Sequence, residues 1–229
     1  MKNKIIIAVD LDNLDAAKKL IDELNDAIFF KVGLLPFLKF GNKIISYLKS
    51  KNKRLFLDLK FKDIPNSVYW AVKSSLQYSP YFLTIHLTGG AEMIKKSIEA
   101  SKTESNLNIL GVTILTSLSK NDLIDTGIEL SVEDTVLKLC ELGLKNGLKS
   151  FVCSPLEIEP IRKRFGKDIT LVTPGIRPDW SEKGDQKRVF TPKTAIQKGA
   201  DFLVIGRPIT QNKNPLKAFK LILQEIEEI

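Results

Sequence analysis

Eight short runs of apolar and β-branched residues, each followed by a longer stretch of helical periodicity, continue to the end of the chain and constrain its fold more than any other feature. The runs fall at 4–9, 28–32, 54–58, 82–86, 108–113, 150–153, 169–173 and 202–205. Strands that alternate with helices build βα units around a parallel sheet. Between them, 16–24 places Ala16, Ala17, Leu20, Ile21 and Leu24 at helical spacing, and 68–76 behaves likewise. The stretch 131–144 opens on a capping-box pattern, Ser131-Val132-Glu133-Asp134, with Val136, Leu137, Cys140 and Leu144 on one face. An open doubly wound sheet would need fewer strands and a glycine-rich first turn, whereas this turn reads Asp10-Leu11-Asp12-Asn13. Eight units in 229 residues, with no Pro/Gly/Ser-rich linker, predict an α/β fold: a (β/α)8 TIM barrel forming a single catalytic domain over 1–229.

A composition of 43% hydrophobic and 27% charged residues supplies enough apolar side chain for one such core. The longest apolar runs, such as 5–9 and 202–205, fall far short of the roughly 20 residues a membrane-spanning helix needs. The N-terminus passes from Met1-Lys2-Asn3-Lys4 directly into the first strand, with no signal-peptide pattern, so a cytoplasmic protein without a membrane partner is expected. Cys140 and Cys153 read as reduced, buried thiols. A net charge of +8 is compatible with a nucleic-acid partner, but the lysines are spread along the chain beside Asp and Glu. There is no arginine-rich block and no basic run interleaved with aromatics, so the expectation is a solvated surface that favours small anions, not nucleic acid.

In a barrel, function collects where strands end, because the βα loops of one rim form the site. Asp10, Lys31, Asp58, Lys60, His86 and Thr116 all lie at or just past the end of a predicted strand. The densest segment is Asp58-Leu59-Lys60-Phe61-Lys62-Asp63-Ile64-Pro65-Asn66-Ser67. Strand alternation places Asp58 and Lys60 on one face, pointing into the mouth, where a carboxylate and an ammonium hold each other ionised. An isolated pair of this kind is as readily a structural ion pair. Lys31 at the end of the neighbouring strand and Asp63 in the following loop make it an alternating array instead, and no His/Cys spacing supplies a metal site. A second cluster, Thr173-Pro174-Gly175-Ile176-Arg177-Pro178 and Gly206-Arg207-Pro208-Ile209-Thr210, follows the last two strands, where barrels hold phosphate. His86, the only histidine, reads as a structural hydrogen-bonding group, and Asp10 as a ligand contact, since Asp12 and Asn13 are better placed to cap the next helix.

Both clusters, at these separations, resemble the orotidine 5′-phosphate decarboxylase family over essentially the whole chain. The segment 58–67 is similar to that family's D-x-K-x-x-D-I-P-x-T motif, with Ser67 in place of threonine, and Ile85-His86-Leu87-Thr88-Gly89-Gly90 and 173–178 support the likeness. The resemblance implies a charged catalytic array of Lys31, Asp58, Lys60 and Asp63, with Lys60 as proton donor and neither metal nor cofactor. It implies a homodimer with shared active sites, in which Asp63, Ile64 and Ser67 reach into the partner's site. Asp10 and Lys31 would contact the ribose hydroxyls, Thr116 the pyrimidine or its neighbourhood, and Arg177, Gln186, Gly206 and Arg207 the 5′-phosphate of orotidine 5′-phosphate (OMP) or UMP. The stretch 177–188 is the candidate lid.

Decarboxylation at C6 of a pyrimidine leaves a carbanion with no adjacent carbonyl to delocalise it, so a nearby ammonium that stabilises and then protonates it is what the reaction needs. Repulsion between Asp58 and the substrate carboxylate contributes roughly 4 kcal/mol at about 4 Å and an effective dielectric near 20, against as much as ~23 kcal/mol for large enzymatic accelerations. Carbanion stabilisation and phosphate binding energy must supply the rest. Two other readings stay open from sequence: a phosphosugar decarboxylase or synthase on the same barrel, which would need magnesium, and a basic RNA-associated protein.

Overall fold

The computed structural model describes residues 4–103, 106–181 and 190–227. Among them the strands are β1 Ile5–Ala8, β2 Phe29–Gly33, β3 Arg54–Phe61, β4 Phe82–His86, β5 Asn108–Val112, β6 Ser150–Val152, β7 Thr170–Thr173 and β8 Phe202–Ile205. Each pairs in parallel with the next, and β1 pairs with β8, so the sheet closes on itself as a barrel. Helices lie between the strands. The predicted bounds differ from these by at most one residue at either end except in β3, which runs on to Phe61, three residues past its expected end.

Alternation along the strands sorts the core into two parts. Ile6, Phe29, Phe56, Phe82, Leu110, Val172 and Val204 meet inside the barrel. Their neighbours, such as Ile5, Ile7, Phe30, Leu55, Leu57 and Leu83, pack outward beneath the helices. Both faces of the sheet are covered, which is why its strands read as nearly continuous apolar runs. The interior is plugged by aromatic rings: Phe82 and Phe202 meet edge to face at 5.1 Å, and Phe29 and Phe202 at 5.5 Å. Cutting one of these phenylalanines to alanine would cost about 3–5 kcal/mol.

The helix starts follow their capping residues. Asn13 is the N-cap of the helix Leu14–Glu23 and accepts a hydrogen bond from Ala16 N–H at 2.9 Å. Ser131 Oγ accepts one from Asp134 N–H at 3.0 Å at the head of the helix Val132–Lys145. Because Asn13 caps the first helix, Asp10 is left to face the barrel mouth. Among the described residues, no helix is long and apolar enough to cross a membrane.

Candidate active site

Above the phenylalanine layer the inward positions of β2 to β4 change from apolar to polar. Lys31 follows Phe29 by two residues on β2, Asp58 follows Phe56 on β3, and Thr84 follows Phe82 on β4. The period of two therefore stacks the polar group directly over the plug. Lys31 and Asp58 are both buried.

The charges form a chain. Lys31 Nζ stands 3.1 Å from Asp10 Oδ1 and 3.3 Å from Asp58 Oδ2, and Lys60 Nζ stands 2.9 Å from Asp58 Oδ1. Thr84 Oγ1 donates to the same Asp58 Oδ1 at 3.0 Å. Burial by itself would push the Asp58 carboxyl up, but the Lys31 and Lys60 ammonium groups and the hydrogen bonds from Lys60 and Thr84 outweigh it and hold the group below its usual range. Burial would likewise lower Lys31, and the Asp58 and Asp10 carboxylates overcome it, so its ammonium is held above the ordinary lysine value. Each buried charge is kept ionised by its neighbours. Gly33 makes room for this packing: a Cβ there would sit 3.1 Å from both Asp10 Oδ1 and Lys31 Nζ.

Lys60 reaches Asp58 by a route that simple alternation does not foresee. Leu57 pairs with Leu83 and Phe61 with Ile85, so three residues of β3, 58–60, face the single Thr84 of β4. Such a bulge re-aims side chains, and bulges are common beside active sites. Within it Lys60 has φ 50°, in the left-handed region. A non-glycine residue held there costs roughly 1–3 kcal/mol and persists only where its surroundings fix it.

A cavity of about 510 Å³ opens over this cluster. Asp10, Lys31, Asp58 and Lys60 line one side, with Thr116 also in the wall. Gly175, Arg177, Gly206 and Arg207, from the loops after β7 and β8, line it as well. Arg177 is buried and donates from Nη1 to the Ile176 carbonyl at 2.8 Å, while Arg207 is exposed. Thr210, the last residue of the second cluster, also faces the cavity, as do Leu11, Ser117 and Gln211, which sequence reasoning did not single out.

Three predicted site residues stand apart from it. Asp63, Ile64 and Ser67 are exposed and absent from the cavity wall. Asp63 Oδ1 accepts the Ile64 N–H at 2.6 Å, which turns that carboxylate onto its own loop and away from Lys60. Within one chain the charges in contact are Asp10, Lys31, Asp58 and Lys60, while Asp63, expected in the array and by resemblance in a partner's site, is exposed in its loop. Gln186 and most of the candidate lid, 177–188, lie outside the described residues. His86 is half-buried; burial, then Lys60 and Lys62, lower its pKa and favour the neutral ring. Burial pushes the Cys140 thiol up to about 12 and Cys153 well above its ordinary value, so neither is a nucleophile at neutral pH. Among the described residues, no group of three or more His, Cys, Asp or Glu could hold a metal ion.

This geometry can be set beside known proteins. The profile of the family described as orotidine 5′-phosphate decarboxylase / HUMPS family matches residues 3–222. The orotidine 5′-phosphate decarboxylase of Gloeothece citriformis is 41% identical over 231 residues, covering all of both chains. That of Pasteurella multocida is 43% identical over 97% of each. A crystal structure of orotidine 5′-phosphate decarboxylase from Lactobacillus acidophilus superposes with a TM-score of 0.85 at 34% identity, covering 97% of this chain and 98% of that one.

Proposed function

This chain belongs to the orotidine 5′-phosphate decarboxylase / HUMPS family, and from that premise we propose that it converts OMP to UMP and CO2 in a single catalytic domain spanning 1–229. The observation that carries the reading is the chain Asp10, Lys31, Asp58, Lys60 in the wall of the same cavity that Arg177 and Arg207 line. A cavity of about 510 Å³ lies in the range for small-molecule sites.

The 5′-phosphate is held by Arg177, Gly206 and Arg207, with Gln186, and the ribose hydroxyls by Asp10 and Lys31. Thr116 faces the pyrimidine. C6 then lies over Lys60 with its carboxylate toward Asp58. The C6–carboxylate bond breaks, CO2 leaves, and the electron pair stays on C6. The Lys60 ammonium stabilises that pair and delivers its proton to it, and the resulting amine is reprotonated from solvent. One proton is consumed for each OMP converted. Asp58 holds the Lys60 ammonium in place in the resting site and repels the substrate carboxylate, which favours its departure. The phosphate contacts are remote from the reacting carbon, so their binding energy is available to hold the ring in register and to close loops over the site.

Two copies complete each site in this reading. Asp63, Ile64 and Ser67 reach from one protomer into the cavity of its partner. Support comes from large apolar side chains left exposed near Asp63 and elsewhere on this chain: Ile64 and Trp70, which are 67% and 59% exposed, and Leu34, Leu35 and Leu38 of the helix Leu34–Phe40. The free thiols of Cys140 and Cys153 fit a reducing cytoplasmic setting.

The test is a spectrophotometric assay of the purified chain with OMP in the presence of EDTA. Loss of the orotate chromophore with release of UMP is expected at undiminished rate. Activity confined to a phosphosugar substrate, and abolished by the chelator, would favour the magnesium-dependent branch of the family instead.

A further inference from the structure

Thr84 is fully buried in β4 and is not among the residues that line the mouth, yet its hydroxyl holds two separate atoms of the charged cluster. The Lys60 backbone N–H donates to Thr84 Oγ1 at 2.9 Å, and Thr84 Oγ1 stands 3.0 Å from Asp58 Oδ1. An amide N–H can only donate, so the threonine oxygen is the acceptor of the first bond and its single proton is free for the second. The direction of both bonds is fixed, and the second requires that Asp58 Oδ1 itself carry no proton. Asp58 Oδ1 also accepts from Lys60 Nζ at 2.9 Å. The main chain and the ammonium of one residue are therefore tied to each other through one hydroxyl and one carboxylate.

The same hydroxyl sits opposite the bulge. Residues 58–60 face Thr84 alone, and Lys60 takes its left-handed backbone there. Within the register shift, the Lys60 N–H takes Thr84 Oγ1 as its acceptor. Valine has nearly the same shape but no oxygen; in its place the amide would be left without its acceptor and Asp58 would lose a donor.

We propose that Thr84 is a positioning residue of the reaction: its hydroxyl fixes the bulge conformation that aims the Lys60 ammonium at the reacting carbon, and it holds the Asp58 carboxylate that contacts this ammonium. The inference rests on the decarboxylase reading above and adds to it a residue that touches no substrate. The groups that face Asp58 are Lys31 from β2, with Asp10 behind it from the end of β1, Lys60 on its own strand, and Thr84 and His86 from β4, with Lys62 beside His86.

The experiment compares Thr84→Val and Thr84→Ser with the wild-type chain in OMP turnover, UMP affinity and thermal unfolding. Thr84→Val is expected to lower kcat about 10- to 100-fold, the range of a hydrogen bond to a charged group. KM and UMP affinity should stay within about threefold, because the phosphate and ribose contacts are untouched. The acid limb of kcat should move to higher pH, since Asp58 has lost a donor to its anion. Thr84→Ser should keep kcat within about threefold of wild type. Turnover of Thr84→Val within twofold of wild type, or a Thr84→Ser as impaired as the valine variant, would overturn the proposal. Should Thr84→Val not fold, Thr84→Ala against Thr84→Ser reads the same hydroxyl: a deficit confined to alanine supports the role, and equal kcat values overturn it. A wild-type chain that leaves OMP unchanged sinks the decarboxylase reading and this inference with it; a wild-type chain that turns over beside an unaffected Thr84→Val sinks this inference alone.

Discussion

The Lys31 ammonium stands 3.3 Å from Asp58 Oδ2, a contact between two buried charges on adjacent strands. The two residues are not equally dependent on each other. Lys31 has Asp10 as a second partner, and Asp58 has Lys60 and Thr84. Removing Lys31 leaves Asp58 with an ammonium and a hydroxyl. Removing the Asp58 charge leaves two ammonium groups facing across a buried gap with only the half-exposed Asp10 to offset them. Breaking a buried pair typically costs about 3–5 kcal/mol through the charge left behind. Asp58→Asn is therefore expected to lose about 3 kcal/mol in urea denaturation and Lys31→Met distinctly less. The opposite order would mean that Asp10, and not Asp58, anchors the cluster.

In the proposed reaction, Lys60 is where proton delivery and charge stabilisation meet. A positioned proton donor contributes about 10²–10⁴-fold, and loss of a preorganised stabilising group another 10²–10³. Lys60→Ala should lower kcat by at least about 10⁴-fold, while UMP affinity, which depends on the far side of the cavity, stays within tenfold. Calorimetric titration with UMP beside the turnover assay separates the two effects. Substantial residual turnover would remove Lys60 from the role assigned to it.

The pH dependence of stability follows from three groups with known directions. Asp58 is held below its ordinary value of 3.8, so its contribution is complete above that pH and is lost as pH falls through the folded value. Lys31 is held above 10.5, so its contribution is complete below that pH and is lost as pH rises through the folded value. Between those limits the pair gives a flat profile. His86 is lowered from 6.5 by burial and then by Lys60 and Lys62, so the unfolded chain takes up its proton first and stability falls as pH drops below that value. Chemical denaturation between pH 8 and pH 5 should show a gradual loss that His86→Asn removes. A loss unchanged in that variant would place the titrating group elsewhere.

Most of this arrangement is legible in the sequence because it depends on period and spacing. The eight apolar runs have to be strands, and their inward positions at Lys31 and Asp58 follow from counting by two beyond Phe29 and Phe56. What spacing does not reveal is where the ladder slips. Nothing in Asp58-Leu59-Lys60 announces that three residues will face one, or that Lys60 will adopt a positive φ, because the bulge is set by the partner strand. Thr84 and Gly33 were hidden for the same reason: each matters through a neighbour on another strand, to which its own segment gives no clue. Asp63 lies next to the array in sequence while its carboxylate accepts from its own loop, so adjacency alone does not say which chain's site it serves.

If the outward Asp63 serves a second protomer, inactive variants should repair each other. A dimer of one Lys60→Ala chain and one Asp63→Ala chain has one site that combines an intact Lys60 with the partner's intact Asp63, and one site that lacks both. Random pairing makes half the dimers mixed, so an equimolar mixture should recover about a quarter of wild-type activity, given a symmetric two-fold interface. Neither variant alone should show it. Mixtures that stay at the sum of the separate activities after subunit exchange would mean that each chain completes its own site.

Stability and catalysis are expected to separate at opposite ends of the barrel. Arg162, on the helix Ile158–Phe165, staples the rim that lies away from the cavity. Its Nε and Nη2 donate to the Gly199 carbonyl at 2.9 and 2.8 Å, and its Nη1 to the carbonyls of Gly166 and Ile169 at 3.1 and 2.8 Å. Nη2 also meets Asp201 Oδ2 at 2.6 Å, and that same oxygen accepts the Leu171 N–H at 2.7 Å. One guanidinium thus joins the segments that enter β7 and β8, the two strands whose far ends carry Gly175, Arg177, Gly206 and Arg207. Arg162→Ala leaves several part-buried carbonyls and the Asp201 carboxylate without their donor, at a cost of about 1–3 kcal/mol for each group that water cannot reach. Water reaches some of them, so the expected total is about 3 kcal/mol, seen as a lower urea midpoint with an unchanged slope. At temperatures where the variant remains folded, kcat should stay within twofold of wild type. A fall in kcat without loss of stability would show that the lower rim controls the geometry of the phosphate loops, contrary to the division of labour described here.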